Sequence, residues 1–270
     1  MPVDKQLFQD ACARVIGTAR TGGGGIGTLG EKTLHAVLKH YLSPDCTTHE
    51  IAVGGFVCDI VTPDGITEIQ TRGFDKLRRK LSCLLDTSTV TVVYPVACTK
   101  WLFWIDEETG EVTKRRKSPK AGTPYEVFFE LYRIKELLCH PNLRLCILLL
   151  DVEEYRRLNG WSRDKKRGST RCERIPVALV QEVRIDTPEQ YARLLPEKLD
   201  TVFTSKEYAK ASRLSMRGAQ RALNVLFSVG AVTRTGKRGN LLLYERAHPE
   251  QAVQLSSANI DKENIIIEYQ

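Results

Sequence analysis

The sequence predicts an α/β protein in which a mixed sheet flanked by helices precedes a smaller, mainly helical domain. Helical and strand patterns alternate through the first part of the chain, then two short helices and a hairpin follow, and positive charge is concentrated in that last part. At 270 residues the chain exceeds the usual size of one domain. We place the domains at residues 1–186 and 187–248, with a C-terminal tail at 249–270.

Composition and the N-terminus limit the class of protein. Hydrophobic residues make up 42% of the chain and charged residues 27%, as in ordinary globular proteins. No apolar run reaches the length that a bilayer requires, and the residues after Met1 do not resemble a signal peptide, so we expect a cytoplasmic location.

The eight cysteines form no Cys-x-x-Cys pair. Cys46 stands three residues before His49, and Cys139 stands beside His140, but neither pair has a second pair close by in the sequence. Buried, reduced thiols are therefore expected, and a structural zinc site is not.

Periodicity and turn residues predict the elements in order. In the first part they are helices at 4–19 and 29–42, strands at 49–53, 55–62 and 66–71, and a helix at 75–85. In the second part they are strands at 90–97, 101–105 and 112–117, a helix at 125–138, and strands at 143–150 and 176–185. The basic segment 156–174 is expected to be a loop or arm.

A glycine-rich motif, Gly25-Ile-Gly27-Thr-Leu-Gly30, matches the dinucleotide-binding fingerprint letter for letter. That fingerprint works where it follows a strand and opens a helix, which lets backbone amides face a pyrophosphate. Here the preceding segment has a helical pattern, so a flexible lid or a DNA-contacting loop that leads into the next helix is the preferred interpretation. A nucleotide-binding enzyme is the alternative, and it requires a strand before Gly25.

Two acids and an amide are brought together by the hairpin at 55–71. With a turn centred on Asp64-Gly65, Asp59 would face Gln70 and Val61 would face Glu68. Asp59, Glu68 and Gln70 then project to one side of the hairpin, and the other side carries the apolar Cys58, Ile60 and Ile69.

Like charges at such close range are costly unless something compensates them. A divalent cation would do so, because Mg²⁺, or Mn²⁺ in its place, takes carboxylate and carbonyl oxygens as ligands. The expected metal ligands are Asp59, Glu68 and the backbone carbonyl of Ile69, and phosphodiester hydrolysis is the reaction that this cation would support. The alternative is structural: Asp59 caps a turn and Glu68 pairs with a cation such as Arg72.

These residues resemble the motif of the PD-(D/E)xK nucleases, the restriction-endonuclease-like superfamily. The motif is an Asp near a hairpin and a strand bearing Glu-x-Lys, often with a Glu on a preceding helix; here Asp59, Glu68-Ile69-Gln70 and Glu31 stand in those places. The resemblance covers residues 27–105. It implies a restriction-endonuclease-like fold and a catalytic set of Glu31, Asp59, Glu68 and Gln70.

One position departs from that motif, since Gln70 stands where the family usually has Lys. A glutamine can orient the attacking water but cannot neutralise the charge that develops on the phosphate. Some type II restriction enzymes in the family carry Gln there. His35 shares a helix face with Glu31 and is either a further ligand, a partner of a ligand or a structural residue.

The C-terminal part has the pattern of two short helices followed by a basic hairpin. Thr204-Ser-Lys-Glu207 is a capping box that begins a first helix, a second helix is predicted from 216 to 229, and strands at 231–234 and 241–245 enclose a basic tip at 235–239. Residues 201–246 hold nine Lys or Arg and two Glu, a balance of +7 that equals the net charge of the chain. This arrangement resembles a winged helix-turn-helix. The expected DNA contacts are Arg217, Gln220, Arg221, Asn224, Lys237 and Arg238.

The sequence therefore predicts a Mg²⁺-dependent DNA endonuclease whose substrate is held by the winged helix and by the basic residues 163–174. The alternative is a DNA-binding protein whose nuclease fold is catalytically silent and which acts as a regulator or assembly factor. The nuclease resemblance also implies a possible homodimer, since nucleases of this type often pair to cut both strands.

Overall fold

The structure is a computed structural model that describes residues 3–21, 33–106, 108–157 and 168–247. The helices are α1 (Lys5–Thr21), α2 (Thr33–Leu42), α3 (Arg78–Leu84), α4 (Phe128–Leu131), α5 (Ser205–Ser212) and α6 (Met216–Ser228). The strands are β1 (His49–Val53), β2 (Phe56–Thr62), β3 (Gly65–Ile69), β4 (Val90–Ile105), β5 (Arg116–Lys117), β6 (Leu143–Arg157), β7 (Thr170–Ile185), β8 (Val202–Thr204), β9 (Val232–Arg238) and β10 (Leu241–Arg246). Within these residues no helix is both long and apolar enough to span a bilayer.

The predicted α/β class is confirmed: a large mixed sheet is flanked by helices. Its strand order is β1-β2-β3-β4-β6-β7, and β5 pairs with β4. A second, three-stranded sheet has the order β8-β10-β9. The predicted tail at 249–270 and the glycine motif at 25–30 lie outside the described residues.

The residues form two compact units that alternate along the chain. The first contains residues 1–71, 93–123 and 147–182, and the second contains 72–92, 124–146 and 183–270. In the first unit Val37, Leu38 and Cys58 are fully buried, and in the second Phe74, Phe128 and Leu226 are. The second unit thus includes two internal segments in addition to the C-terminal part.

Several predicted elements are longer or differently built than expected. The strands predicted at 90–97 and 101–105 are one strand, β4, because Cys98, Thr99 and Lys100 tolerate extended backbone. The helix predicted at 125–138 contains only one short α-helical stretch, α4, between two 3₁₀ segments, and Ile134 at φ −124° interrupts it. Of the basic strand predicted at 112–117, β5 keeps two residues.

The basic segment 156–174 is not simply a loop. β6 continues to Arg157 and β7 begins at Thr170, while 158–167 lie outside the described residues. The buried carboxylate of Glu154 explains why arginines occur here on strands: Arg156 Nε donates to it at 2.8 Å and Arg174 Nη2 at 2.9 Å. Pairing with a buried acid lets charged residues lie on a strand.

Candidate functional site

The hairpin of β2 and β3 turns one residue earlier than predicted. Thr62 pairs with Gly65, Val61 with Ile66 and Ile60 with Thr67, so Pro63 and Asp64 form the turn. Pro63 explains the difference, because its fixed φ suits the first central position of a turn and Gly65, at φ 137°, follows it. The predicted pairs of Asp59 with Gln70 and of Val61 with Glu68 are therefore wrong by two residues.

A shift of two residues keeps every side chain on its predicted face. Continuing the observed register places Asp59 directly opposite Glu68, with Cβ atoms about 5 Å apart, a closer arrangement than the predicted diagonal. The opposite face is core as predicted, since Cys58, Ile60 and Ile69 are all buried.

Asp59 is held by two neighbours. Its Oδ2 accepts a hydrogen bond from the backbone N–H of Ile69 at 2.7 Å and lies 3.2 Å from Nε2 of His35 on α2. The side chains of His35 and Asp59 remain 26% and 23% exposed, so solvent reaches this pair. Of the three roles considered for His35, this contact favours that of a partner orienting an acid.

Glu68 lies deeper than Asp59, because only 4% of its surface is exposed. Gln70 is half-buried, and its backbone N–H donates to the carbonyl of Val93 at 2.8 Å, which ties the end of β3 to β4. Ile69 is buried as well. Glu31, the remaining predicted catalytic residue, lies outside the described residues.

The nucleotide-binding alternative requires a strand before Gly25. Instead α1 extends from Lys5 to Thr21, so the described residues that precede the glycine motif are helical. This contradicts the sequence context in which a dinucleotide fingerprint works.

A second cluster, formed by His40, Cys46 and His49, also lies in the first unit. One ligand atom from each residue falls within 4.8 Å of the others. A search for closely spaced Cys and His pairs in the sequence does not find this cluster, because His40 lies at the end of α2, six residues before Cys46. The fold places His40 beside the other two residues. The available signal was the run His40-x₅-Cys46-x₂-His49, which starts in the last turn of a predicted helix.

The C-terminal module, residues 202–246, forms the predicted helices and hairpin. Thr204 accepts from the Glu207 backbone and Glu207 accepts from the Thr204 backbone, which confirms the capping box. The inward stripe of α6 is also confirmed, since its predicted members are buried: Ala219, Ala222, Leu223, Leu226 and Val229.

The hairpin differs at its tip. Arg238 pairs with Leu241, so the turn consists of Gly239 and Asn240, and Lys237 and Arg238 belong to β9 instead of a loop. Gly236, at φ 157° beside a bulge in the pairing, lets the strand continue through the expected tip.

The predicted DNA-contacting residues fall into two groups. Arg217, Gln220, Lys237 and Arg238 are exposed, although Arg238 Nη1 also lies 3.0 Å from Oε1 of Glu207.

Arg221 and Asn224 are half-buried against the segment around α4. The guanidinium of Arg221 lies 5.9 Å from the ring of Phe129 and 5.7 Å from that of Tyr132, and Lys135 donates to Asn224 at 3.4 Å. Only part of the predicted helix face is thus directed to solvent.

Comparison with known proteins places this chain in one family. Residues 32–186 match the family described as a domain of unknown function, DUF8091, and the chain belongs to that family. A protein of Treponema pallidum (strain Nichols), named "Uncharacterized protein", is 31% identical over 231 residues, which cover 83% of this chain and 88% of that protein. No solved structure matches. The matched family segment contains both the hairpin acids and the His40–Cys46–His49 cluster.

Proposed function

We propose that this chain is a metal-dependent DNA endonuclease of restriction-endonuclease-like fold, in which a C-terminal winged helix holds the DNA. The observation that carries the proposal is the contact of Asp59 with His35 of α2, on a hairpin whose observed register, continued by one residue, places Asp59 opposite Glu68. The order α2, β1, β2, β3, α3, β4 also agrees with the helix, three strands, helix and strand predicted for the segment that carries the nuclease resemblance.

The residues fit a hard divalent cation. Opposite positions on paired strands have Cβ atoms about 5 Å apart, so the continued register would bring the carboxylates of Asp59 and Glu68 close together. Asp59 is reachable from solvent, and carboxylate oxygens are the ligands that Mg²⁺ prefers. Asp59 and Glu68 would hold the cation, with the carbonyl of Ile69 beside them. When bound, the cation lowers the pKa of a water and neutralises charge on the phosphate.

The chain's own side chains have separate roles in this proposal. The imidazole of His35 and the backbone N–H of Ile69 orient the carboxylate of Asp59. The amide of Gln70 positions the attacking water by hydrogen bonding, without supplying the positive charge of a lysine. Burial of Glu68 keeps its carboxylate in one place.

DNA binding is assigned to the exposed polar side chains of the C-terminal module. Arg217 and Gln220 on α6 are directed to solvent, and Lys237 extends from β9. Each phosphate contact by a cation contributes about 0.9 to the slope of binding affinity against salt concentration, on logarithmic scales. Replacing Arg217 or Lys237 by Gln should therefore reduce that slope by about one, whereas Lys114→Gln, an exposed cation in the first unit, should leave it unchanged.

The alternative, a catalytically silent nuclease fold that binds DNA as a regulator or assembly factor, is favoured by one observation. Oδ2 of Asp59 is already engaged by Ile69 and His35, and Glu68 lies almost fully buried, so both acids have structural surroundings. Both functions predict salt-dependent DNA binding, but only the enzyme predicts cleavage.

Substitutions at the hairpin separate the two functions. In the presence of Mg²⁺ or Mn²⁺, Asp59→Asn and Glu68→Gln should each slow cleavage about 100-fold or more. This is the usual loss of rate when an enzyme loses one group that stabilises the transition state electrostatically. DNA affinity should not change. Asp64→Asn, at the exposed turn of the same hairpin, is the matched control and should cleave like the wild type. Binding without cleavage by the wild type would favour the silent alternative.

A further inference from the structure

The His40–Cys46–His49 cluster has the arrangement of a transition-metal site, and we infer that it binds Zn²⁺. His40 lies in the last turn of α2, Cys46 begins the 3₁₀ segment Cys46–Thr48, and His49 begins β1. All three residues belong to the first unit, and none of them is one of the hairpin acids. The inference therefore does not depend on the proposed nuclease function.

The distances suit tetrahedral coordination. Zinc binds sulfur at about 2.3 Å and imidazole nitrogen at about 2.0–2.1 Å, so a nitrogen and a sulfur on one tetrahedral ion lie about 3.6 Å apart. Nδ1 of His40 and Sγ of Cys46 are 3.8 Å apart, and the three ligand atoms lie within 4.8 Å of one another. Side-chain shifts of a few tenths of an ångström to about one ångström bring them to the ion.

The protonation of His49 suits a metal ligand. Its Nε2 lies 2.9 Å from the backbone carbonyl oxygen of Ser43, and a carbonyl only accepts hydrogen bonds, so Nε2 carries the proton. A neutral imidazole then has its lone pair on Nδ1, which is the ligand atom that this inference assigns to His49. Metal-binding histidines commonly donate their second N–H to a carbonyl in this way, which fixes the tautomer and the ring orientation.

The loop that carries the cluster is held by its own hydrogen bonds. Asp45 caps the 3₁₀ segment by accepting from the backbone N–H of Thr47 at 2.9 Å and from its hydroxyl at 2.8 Å. The hydroxyls of Ser43 and Thr48 lie 2.8 Å apart. A loop fixed by these contacts loses little freedom when an ion binds.

The donor set selects the ion. One sulfur and two imidazole nitrogens suit Zn²⁺, whereas Mg²⁺ takes oxygen ligands, so this site and the hairpin acids would hold different metals. Arg14 Nη2 lies 3.0 Å from the sulfur of Cys46 and would compensate the negative charge of a thiolate ligand. Three protein ligands leave a fourth position for water or another ligand.

Metal titration of the full-length, reduced and chelator-treated chain tests the inference. Competition with a chromophoric zinc chelator should show one equivalent of tightly bound Zn²⁺, and Co²⁺ should give a thiolate-to-metal charge-transfer band. Loss of an outer hydrogen-bond partner commonly weakens metal binding by about 10- to 100-fold, so loss of a ligand in Cys46→Ser, His40→Gln or His49→Gln should weaken it by at least about 100-fold.

Cys83→Ser is the matched control, because Cys83 is exposed and lies outside the cluster. It should keep the zinc affinity and the cobalt band of the wild type. Circular dichroism of each variant checks that the fold is retained. Cys46→Ala is the reserve ligand variant and takes the place of any of the three that unfolds. No bound equivalent in the wild type, or an affinity unchanged in all three ligand variants, would overturn the inference.

Discussion

Replacing Glu154 by Gln removes the charge of an acid that is buried between two arginines. Only 2% of its side chain is exposed, and Arg156 and Arg174, which contact it, are 36% and 22% exposed. Burial raises the pKa of Glu154, but the hydrogen bonds from Arg174 and Arg156 lower it more, so the pKa lies below its ordinary value of 4.5. The charged form is therefore the one that the folded state stabilises.

The magnitude follows from the contacts that remain. A hydrogen bond to a charged group contributes about 1.5–3 kcal/mol, and the amide of Gln keeps one acceptor for one arginine. Partial exposure of both arginines lets water screen the charge that is left. We expect the free energy of unfolding to fall by about 2 kcal/mol at neutral pH, which corresponds to a melting temperature lower by about 4–8 °C.

Scanning calorimetry at several pH values measures this effect. Because the pKa of Glu154 is lowered on folding, its stabilisation is complete above pH 4.5 and is lost as the pH falls below that value, so the wild type and the variant should converge in acid. Glu153→Gln is the control, since Glu153 is partly exposed and lies 3.3 Å from an exposed Arg115. Equal destabilisation by the two substitutions, or a difference that does not change with pH, would refute the reasoning.

Two further pairs of substitutions test a close packing contact and a buried hydrogen bond. Gly122→Ala should lower the melting temperature, because a Cβ there would lie 2.5 Å from a backbone carbonyl oxygen and overpacking costs about 1–3 kcal/mol. Its control, Gly17→Ala, lies in a helix with nothing within 4 Å and should stabilise the protein by about 0.5–1 kcal/mol. Equal effects of the two substitutions in thermal melts would show that the close contact at Gly122 does not limit stability. Tyr208→Phe should lower the free energy of unfolding in denaturant by about 1–2 kcal/mol, because the buried hydroxyl of Tyr208 donates to the carbonyl of Leu194 at 3.1 Å. Its control, Tyr132→Phe, changes an exposed ring and should leave the free energy of unfolding almost unchanged. A Tyr208→Phe protein as stable as the wild type would show that this bond contributes little.

Local signals in the sequence were sufficient for much of the fold. The capping box at Thr204, the buried stripe of α6 and the hairpin of β2 and β3 each depend on residues that are close in sequence. The face shared by Asp59 and Glu68 was predictable even though the register was not, because a shift of two residues preserves the alternation of side chains. Greater weight on Pro63 as the first turn residue would have given the register as well.

Long-range features were not predictable from local pattern. The alternation of the two units along the chain places α4 beside α6 in one unit, which leaves Arg221 and Asn224 half-buried. The basic segment that contains the arginines of β6 and β7 was predicted as a loop or arm. Glu154, the acid that pairs with these arginines, is far from Arg174 in sequence, so the local pattern does not show the pairing. His40 joins Cys46 and His49 only through the packing of α2 before β1.

Plasmid nicking by the purified full-length chain tests the nuclease proposal most directly. With Mg²⁺ or Mn²⁺ present, the wild type should convert supercoiled DNA to nicked or linear forms, excess chelator should stop the conversion, and Glu68→Gln should be about 100-fold slower or worse. A wild type that binds the plasmid and leaves it intact with either cation, or a Glu68→Gln protein that cuts at the wild-type rate, would contradict the assignment of the hairpin acids to catalysis.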